Sequence, residues 1–386
     1  MLRSLFSGIS GLRSHQTMLD VTGNNIANVN TAGFKASATQ FQDTLSQLIQ
    51  GGGAPGAAIG GTNPAQVGLG VQLAGISTNF SQGSAQATSR ASDLMISGDG
   101  FFVVQSGGET LYTRAGSFEF DAQGRLVTQD GALVMGWNAA GGQINQGGAL
   151  QNLTLPRGAV SAAIATTAVR FSGNLPEDAA DGTEIVRDID VFDASGSATT
   201  VSLTFTKNTT GWEVSDGATV LDTLTFVDGQ PTGPATIAVG GVTVDVSKLT
   251  GFADLSTVKV AGQDGRAAGT LDAYSIGPDG TVTGTFSNGA TEAVGRIALA
   301  NFVNPGGLEK AGNSTYRATA NTGGAEIGAA GDAGYGALAS GYLEMSNVDL
   351  SQEFTNLIIA QRGFQANARI ITTSDEVLQE LTNLKR

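Results

Sequence analysis

The residues able to do chemistry are few and scattered. His15 is the one histidine, so a Ser-His-Asp triad or a histidine metal site would have to be built around it. A polar residue on a helix flank is the simpler reading. Cysteine is absent, which removes thiolate nucleophiles, thiolate metal sites and any disulfide framework. Acidic residues are plentiful, yet no two stand out as the carboxylate pair of a glycosidase. Asp188, Asp190 and Asp193, followed by Ser195-Gly196, have a weak likeness to a calcium loop. Their spacing departs from an EF-hand and the closing acidic residue is missing, so a strand running into an Asp-Ala-Ser-Gly turn is expected. Gly68-Leu69-Gly70 is followed by neither Lys-Ser nor Lys-Thr. It reads as a bend before a strand at Val71–Ala74, not as a phosphate cradle. No catalytic, cofactor-binding or metal-binding residue is assigned, no cofactor is implied, and no enzyme is expected.

Composition agrees with that reading. In 386 residues, 34 acids face 20 bases, a formal net charge of −14. Such a surface repels polyanions, so nucleic acid is not an expected partner. Hydrophobic residues at 40% allow packed cores, and the length suits more than one domain. Aromatics at 6%, charged residues at 14% and 56 glycines suit β-rich domains with many tight turns. The first twenty residues are interrupted by Arg3, Ser7, Ser10, Arg13, His15 and Gln16. They do not form the unbroken apolar run of a secretory signal, and no membrane insertion is expected.

The two ends carry the helical signal. Leu2, Leu5, Ile9, Leu12 and Leu19 recur at spacings of three and four, and Phe6 and Ile26 widen the stripe. Gly8, Gly11 and Gly23 each cost a helix roughly 1 kcal/mol relative to Ala. Leu350, Phe354, Leu357, Phe364, Ile371 and Leu378 repeat the spacing near the other end, thickened by Ile358, Leu381 and Leu384. Asp349 followed by Gln352 predicts a capping box, and Lys385 and Arg386 suit the negative end of the helix dipole. Between the ends, strands are expected at Met95–Ile96, Phe101–Val104, Phe118–Phe120 and Val201–Lys207, separated by Gly-rich turns. Gly51–Pro64 has no hydrophobic period and is expected to be a mobile loop. Two amphipathic ends of weak helix propensity are most economically buried against each other and against neighbouring molecules, becoming ordered on assembly.

At this point the sequence resembles a known family. Gly23-Asn-Asn-Ile-Ala-Asn-Val-Asn-Thr-Ala-Gly-Phe-Lys35 is similar to the N-terminal signature of flagellar rod and hook proteins. Ser346-Asn-Val-Asp-Leu-Ser-Gln-Glu353 and Ala360-Gln-Arg-Gly-Phe-Gln-Ala-Asn-Ala-Arg369 resemble its C-terminal counterpart. The signature residues are Asn24, Asn25, Asn28, Asn30, Gly33, Phe34, Asn347, Asp349, Gln361 and Arg362. Asp99–Phe102 and Tyr112–Phe118 resemble the first β domain of the family. Val67–Val71, Phe171–Pro176, Val191–Gly196 and Asn301–Leu308 point within it to the hook members.

The resemblance implies a multidomain α+β protein, mainly β, with terminal helices in a coiled-coil-like inner layer and two nested β-rich domains. The implied divisions are an N-terminal helix at 1–29, pairing with a C-terminal helix at 347–386, and a linking segment at 30–75 holding the 51–64 loop. An inner β domain would span 76–145 plus 271–346, and an outer one 146–270. The helical core between subunits would comprise Leu2, Leu5, Phe6, Ile9, Leu12, Leu19, Ile26, Leu350, Phe354, Leu357, Ile358, Phe364, Ile371, Leu378 and Leu381. The implied function is a subunit of the curved tubular hook, a universal joint transmitting motor torque from rod to filament. Implied partners are identical subunits, the hook cap protein, the distal rod, the hook–filament junction proteins and the flagellar type III export apparatus. The implied location is the extracellular flagellum, reached without a cleaved Sec signal. A distal rod subunit is the alternative; a secreted carbohydrate-active enzyme or an adhesin is the remote one.

Overall fold

The computed structural model describes the chain except for Met1 and residues 57–59, 156, 157, 159, 218, 385 and 386, with Leu2 described by its backbone alone. Strand takes 45% of the chain and helix 17%, so the mainly β class holds, with an α-helix near each end. Helix α1 is Leu2–Ala27 and α2 is Leu350–Asn383. Asp349 caps α2: its carboxylate accepts from the N–H groups of Ser351 and Gln352 at 2.8 and 3.2 Å. The predicted capping box forms on that side only. The Gln352 amide donates along the helix to Asn356 at 3.2 Å instead of reaching back. Lys385 and Arg386, expected to close the last turn, lie outside the described residues.

After α1 the chain makes a ribbon where the sequence suggested a linker. Strand β1 (Ser37–Asp43) pairs antiparallel with β4 (Val71–Thr78), and β2 (Ser46–Gln50) with β3 (Ala65–Gly68). A further bridge joins Gly53 to Thr62. The expected mobile loop at 51–64 is therefore paired at both its ends, and its centre at 57–59 lies outside the described residues. Gly, Ala and Pro carry no side-chain period, but backbone pairing needs none. The ribbon lies along α1. Gly70, at φ +120°, turns β3 into β4 directly against Ser7 and Ser10, where a side chain would collide. The Val71 N–H donates to Ser10 Oγ at 3.3 Å.

Two compact units follow from the chain path: Met1–Leu155, Ser275–Thr283 and Ala293–Arg386 form unit 1, and Pro156–Tyr274 with Gly284–Glu292 form unit 2. In the β body of unit 1, segments from both halves of the chain interleave. Leu94–Ser97 pairs with Ala337–Ser340, Ala85–Ala87 with Tyr342–Glu344, and Glu109–Thr113 with Thr315–Arg317. Its centre gathers Phe101, Val103, Tyr112, Phe302 and Tyr316. The alternation of Phe101–Val104 with the following strand places these residues, and left-handed Gly98 and Gly100 make the turn before them.

Unit 2 has two four-stranded sheets. One is ordered Thr236–Val239, Val242–Thr250, Ala168–Asn174, Lys259–Gln263; the other is Glu184–Phe192, Ala198–Lys207, Trp212–Ser215, Val220–Leu224. Leu203 and Phe205, the inward members of the predicted Val201–Lys207 alternation, meet Phe171, Val244 and Trp212 in one apolar core. Burying each such side chain contributes about 1.5–3 kcal/mol. Gly240 and Gly241, at φ +57° and +88°, form the two-residue hairpin turn between the first two strands, as a primed turn requires.

Candidate assembly surface and its junction

Helices α1 and α2 pack antiparallel through small residues. A Cβ built on Gly8 would lie 3.4 Å from Ile370, one on Gly11 would lie 2.7 Å from Asn367, and one on Gly363 would lie 2.6 Å from the His15 ring. Farther along, Asn25 Nδ2 donates to Glu353 Oε1 at 3.1 Å. These four pairs share one register. Extended, it sets Leu2 opposite Glu376 and leaves Val377–Asn383 beyond the start of α1. Gly8 and Gly11, which weaken α1 locally, are thus part of the surface on which it packs, while Gly23 is exposed. His15 is a seam residue, not a flank residue: its ring stands edge-on to Phe41 at 6.0 Å, and its Nδ1 is buried without a hydrogen bond.

The large apolar side chains expected in the core lie mostly outside this seam. Phe6 is 64% exposed, Phe354 51%, Ile358 49% and Leu381 48%; Leu350 is exposed too. Leu5, Ile9, Leu12, Leu19, Ile26, Leu357, Phe364, Ile371 and Leu378 are half-buried. The side chain of Leu2 lies outside the described residues. What is buried along the helices is Gly8, Gly11, Ser14, Thr22, Asn25, Glu353 and Ala360. The two helices together therefore leave uncovered a long apolar surface of a kind that monomeric proteins rarely expose.

Where both ends enter the β body, polar residues knot them. Asn25 takes the Ser37 N–H on its oxygen at 3.0 Å and gives its amide to the Ser37 carbonyl at 2.7 Å. Asn347 accepts from the Ala36 N–H at 2.9 Å and donates to the Asn79 and Ser81 carbonyls. Gly33, at φ +69°, sits against the backbone of Arg114 and Ala115, with no room for a side chain. Asn28 donates to Asn24 and accepts from Thr31, closing the turn; Asn30 lies exposed on it. Phe34 lies under the Lys310 ammonium, 5.0 Å from the ring centre. The signature residues Gln361 and Arg362 are exposed on α2, away from this knot.

The sequence reading gave no role to the charges at its centre. Lys35 Nζ donates to Glu344 Oε1 at 2.6 Å and to the Ser81 carbonyl at 2.7 Å. Glu344 Oε1 also accepts from the Gly83 N–H at 2.9 Å, and the Glu344 carbonyl accepts from the Gly33 N–H at 2.7 Å. Arg114 Nη1 lies 3.6 Å from Glu344 Oε2, donates to the Gly98 carbonyl at 2.9 Å, and stacks its guanidinium over Phe101. Burial holds the Lys35 ammonium below its ordinary pKa, against the raising effect of the Glu344 hydrogen bond and charge. Burial likewise lowers Arg114, and pushes the neighbouring Tyr316 phenol up to about 12. One signal was legible: between Asp20 and Arg90 only Lys35 and Asp43 are charged.

The chemical candidates are accounted for by local structure. Asp193 accepts from Ser195 N, Ser195 Oγ and Ser197 N, so its carboxylate is occupied by its own turn. Asp188 and Asp190 accept from Ser202 and Thr200 on the next strand. Two clefts of about 300 and 330 Å³ flank the signature turn; Asp130 is the one charged residue lining the first, and Lys310 the one lining the second.

Three family descriptions match the chain: "Flagella basal body rod protein" at residues 5–35, "Flagellar hook protein FlgE/F/G D1 domain" at 95–168, and "Flagellar basal body rod FlgEFG protein C-terminal" at 339–384. The flagellar hook protein FlgE of Borreliella burgdorferi is 40% identical over 442 aligned residues, covering all of both chains. The flagellar basal-body rod protein FlgG of Bacillus subtilis is 38% identical over 387, again covering both. A crystal structure of the Helicobacter pylori flagellar hook protein FlgE2 aligns with 67% of this chain and all of its own, at 16% identity and a TM-score of 0.48.

Proposed function

Because the chain belongs to the flagellar hook and basal-body rod protein family, we propose that it polymerises into the curved tube of the hook and transmits motor torque from rod to filament. The observation that carries this reading is the helix pair, which buries Gly8 and Gly11 of α1 against α2 and leaves Phe6, Phe354, Ile358 and Leu381 in water. Side chains of that size gain their burial free energy only when copies pack together. The helices then form the continuous wall of the tube, and the β domains move over their neighbours as it bends. The divisions 1–29, 30–75, 76–145 with 271–346, 146–270 and 347–386 serve as inner helix, connector, inner domain, outer domain and inner helix. The role is structural, with no reaction catalysed. Subunits leave through the flagellar type III export apparatus without a cleaved Sec signal, assemble beneath a cap protein outside the cell, and join the distal rod at one end and the junction proteins at the other.

The distal rod is the second reading, favoured by the similarity to the Bacillus subtilis rod protein. Electron microscopy of cells lacking this gene separates the two. A hook subunit is expected to leave the rod in place with hook and filament missing. Basal bodies truncated within the rod would refute the hook assignment and support the rod.

A further inference from the structure

The seam between α1 and α2 holds few interlocking side chains. It is lined by Gly8, Gly11, Ser14 and Thr22 on one side and by Ala360, Gly363 and Asn367 on the other. Interlocking of large side chains into holes is what normally fixes the axial position of paired helices. Here such interlocks are few: Ile370 lies against Gly8, Asn367 against Gly11 and His15 against Gly363. The same register runs on to Asn25, whose buried hydrogen bond to Glu353 lies where the helices approach the β body, so the groups that anchor the helices there bear on it as well.

We propose that the buried Lys35–Glu344 pair, with Arg114, is a positioning element that holds this register from outside the seam. Three observations carry the proposal. The first is linkage. Lys35 follows α1 by one short turn tied down at Asn25–Ser37, and Glu344 precedes α2 by a few residues tied down at Asn347–Ala36. Holding residue 35 against residue 344 therefore holds the bases of both helices. The second is burial: the Lys35 and Glu344 side chains are inaccessible to solvent. A slip of one helical turn would carry at least one charge away from its partner while both remain buried, which costs far more than any rearrangement among glycines. The third is incompleteness. Glu344 Oε2 and Arg114 Nε are buried without hydrogen bonds. A cluster of two cations and one anion left partly unsatisfied is poor as a source of stability. Specifying one arrangement over its neighbours is the best-attested use of such a buried polar group.

The inference rests on the assembly reading for its purpose, but its test is separable. The chain has no cysteine, so one introduced pair reports alone. In Gly11→Cys with Asn367→Cys, the added Cβ meets only the Asn367 side chain among its three nearest atoms, and the second replacement shortens that side chain. Gly11→Cys with Ile371→Cys reports a slip of one turn. Both pairs are placed in the full-length chain with and without K35M/R114M/E344M, which removes all three charges together and strands none of them. They are oxidised and scored by mass spectrometry as intramolecular cross-links in monomer and in polymer. Thermal unfolding of the β body is recorded alongside. With the charges present, the 11–367 link is expected to dominate. With K35M/R114M/E344M, the β body is expected to melt as before, while the 11–367 yield falls and the 11–371 yield rises. An unchanged 11–367 yield in K35M/R114M/E344M overturns the proposal. So does a β body that melts lower or fails to fold, because the charges would then be structural supports. A wild-type chain that never polymerises defeats the hook reading, yet leaves the cross-link comparison in the monomer to decide the register.

Discussion

Unit 2 and the helix pair of unit 1 bury opposite kinds of side chain. The centre of unit 2 is Val169, Phe171, Ile185, Leu203, Phe205, Trp212 and Val244, without a charge among them. All the buried charged residues among those described, Lys35, Asp93, Arg114, Glu344 and Glu353, belong to unit 1. Its helices bury glycine and hold Phe354 and Ile358 in solvent. A domain with an apolar centre is stabilised by its own chain. A helix pair arranged the other way has its main stabilising contacts still to make, and the two units are thereby suited to different tasks within one subunit.

Three measurements would break or sharpen that contrast. The largest effect is expected from Phe205→Ala, which empties the middle of unit 2 and should destabilise it by about 3–5 kcal/mol. Denaturant unfolding reads this, and polymerisation of the folded fraction should be unaltered. A loss of assembly at full folding would blur the division. Next is the alkaline response of the β body of unit 1. The Tyr316 phenol is raised to about 12 in the fold from an ordinary 10.0. The unfolded chain therefore releases this proton first as pH rises. The associated stability is complete below pH 10 and is lost between pH 10 and about 12. Comparing wild type with Tyr316→Phe at pH 9 and near pH 12 should show an extra loss of up to about 3 kcal/mol in wild type alone. Equal losses would place the alkaline sensitivity elsewhere. The smallest change in folding is expected from Ile358→Asp, within about 0.5 kcal/mol, because the side chain is half in water already. The same substitution should abolish polymer in a sedimentation assay, since the new charge would have to be buried between copies. Normal tubes from Ile358→Asp would remove the outer helix face from the assembly surface.

What the sequence disclosed followed from how local each signal was. Asp349 acts on amides two and three residues away, so its cap could be read directly. Val201–Lys207 alternates with the period of a strand, and the inward members are the ones buried. Of the ribbon only the strand at Val71–Ala74 was read, because its pairing joins Gly53 to Thr62 and Ser37 to Thr78 across a stretch with no side-chain rhythm. The helix stripes were found, but not the contact between the two helices of one chain. Large residues at spacings of three and four mark a surface to be covered without saying by what, and the seam is made by glycines that propensity counts as defects. Lys35 and Glu344 are 309 positions apart, and nothing in the run of residues around either announces the other.

The Gly240–Gly241 turn has a practical use. A primed hairpin turn with open space around both glycines can accept an inserted reporter peptide at modest conformational cost. Tags fused to the outer ends of α1 or α2 would crowd the helical faces on which polymerisation depends. A tetracysteine or epitope loop in the Gly240–Gly241 turn would have no native thiol to compete with it. It would travel with unit 2, so that fluorescence could follow single subunits as a tube grows.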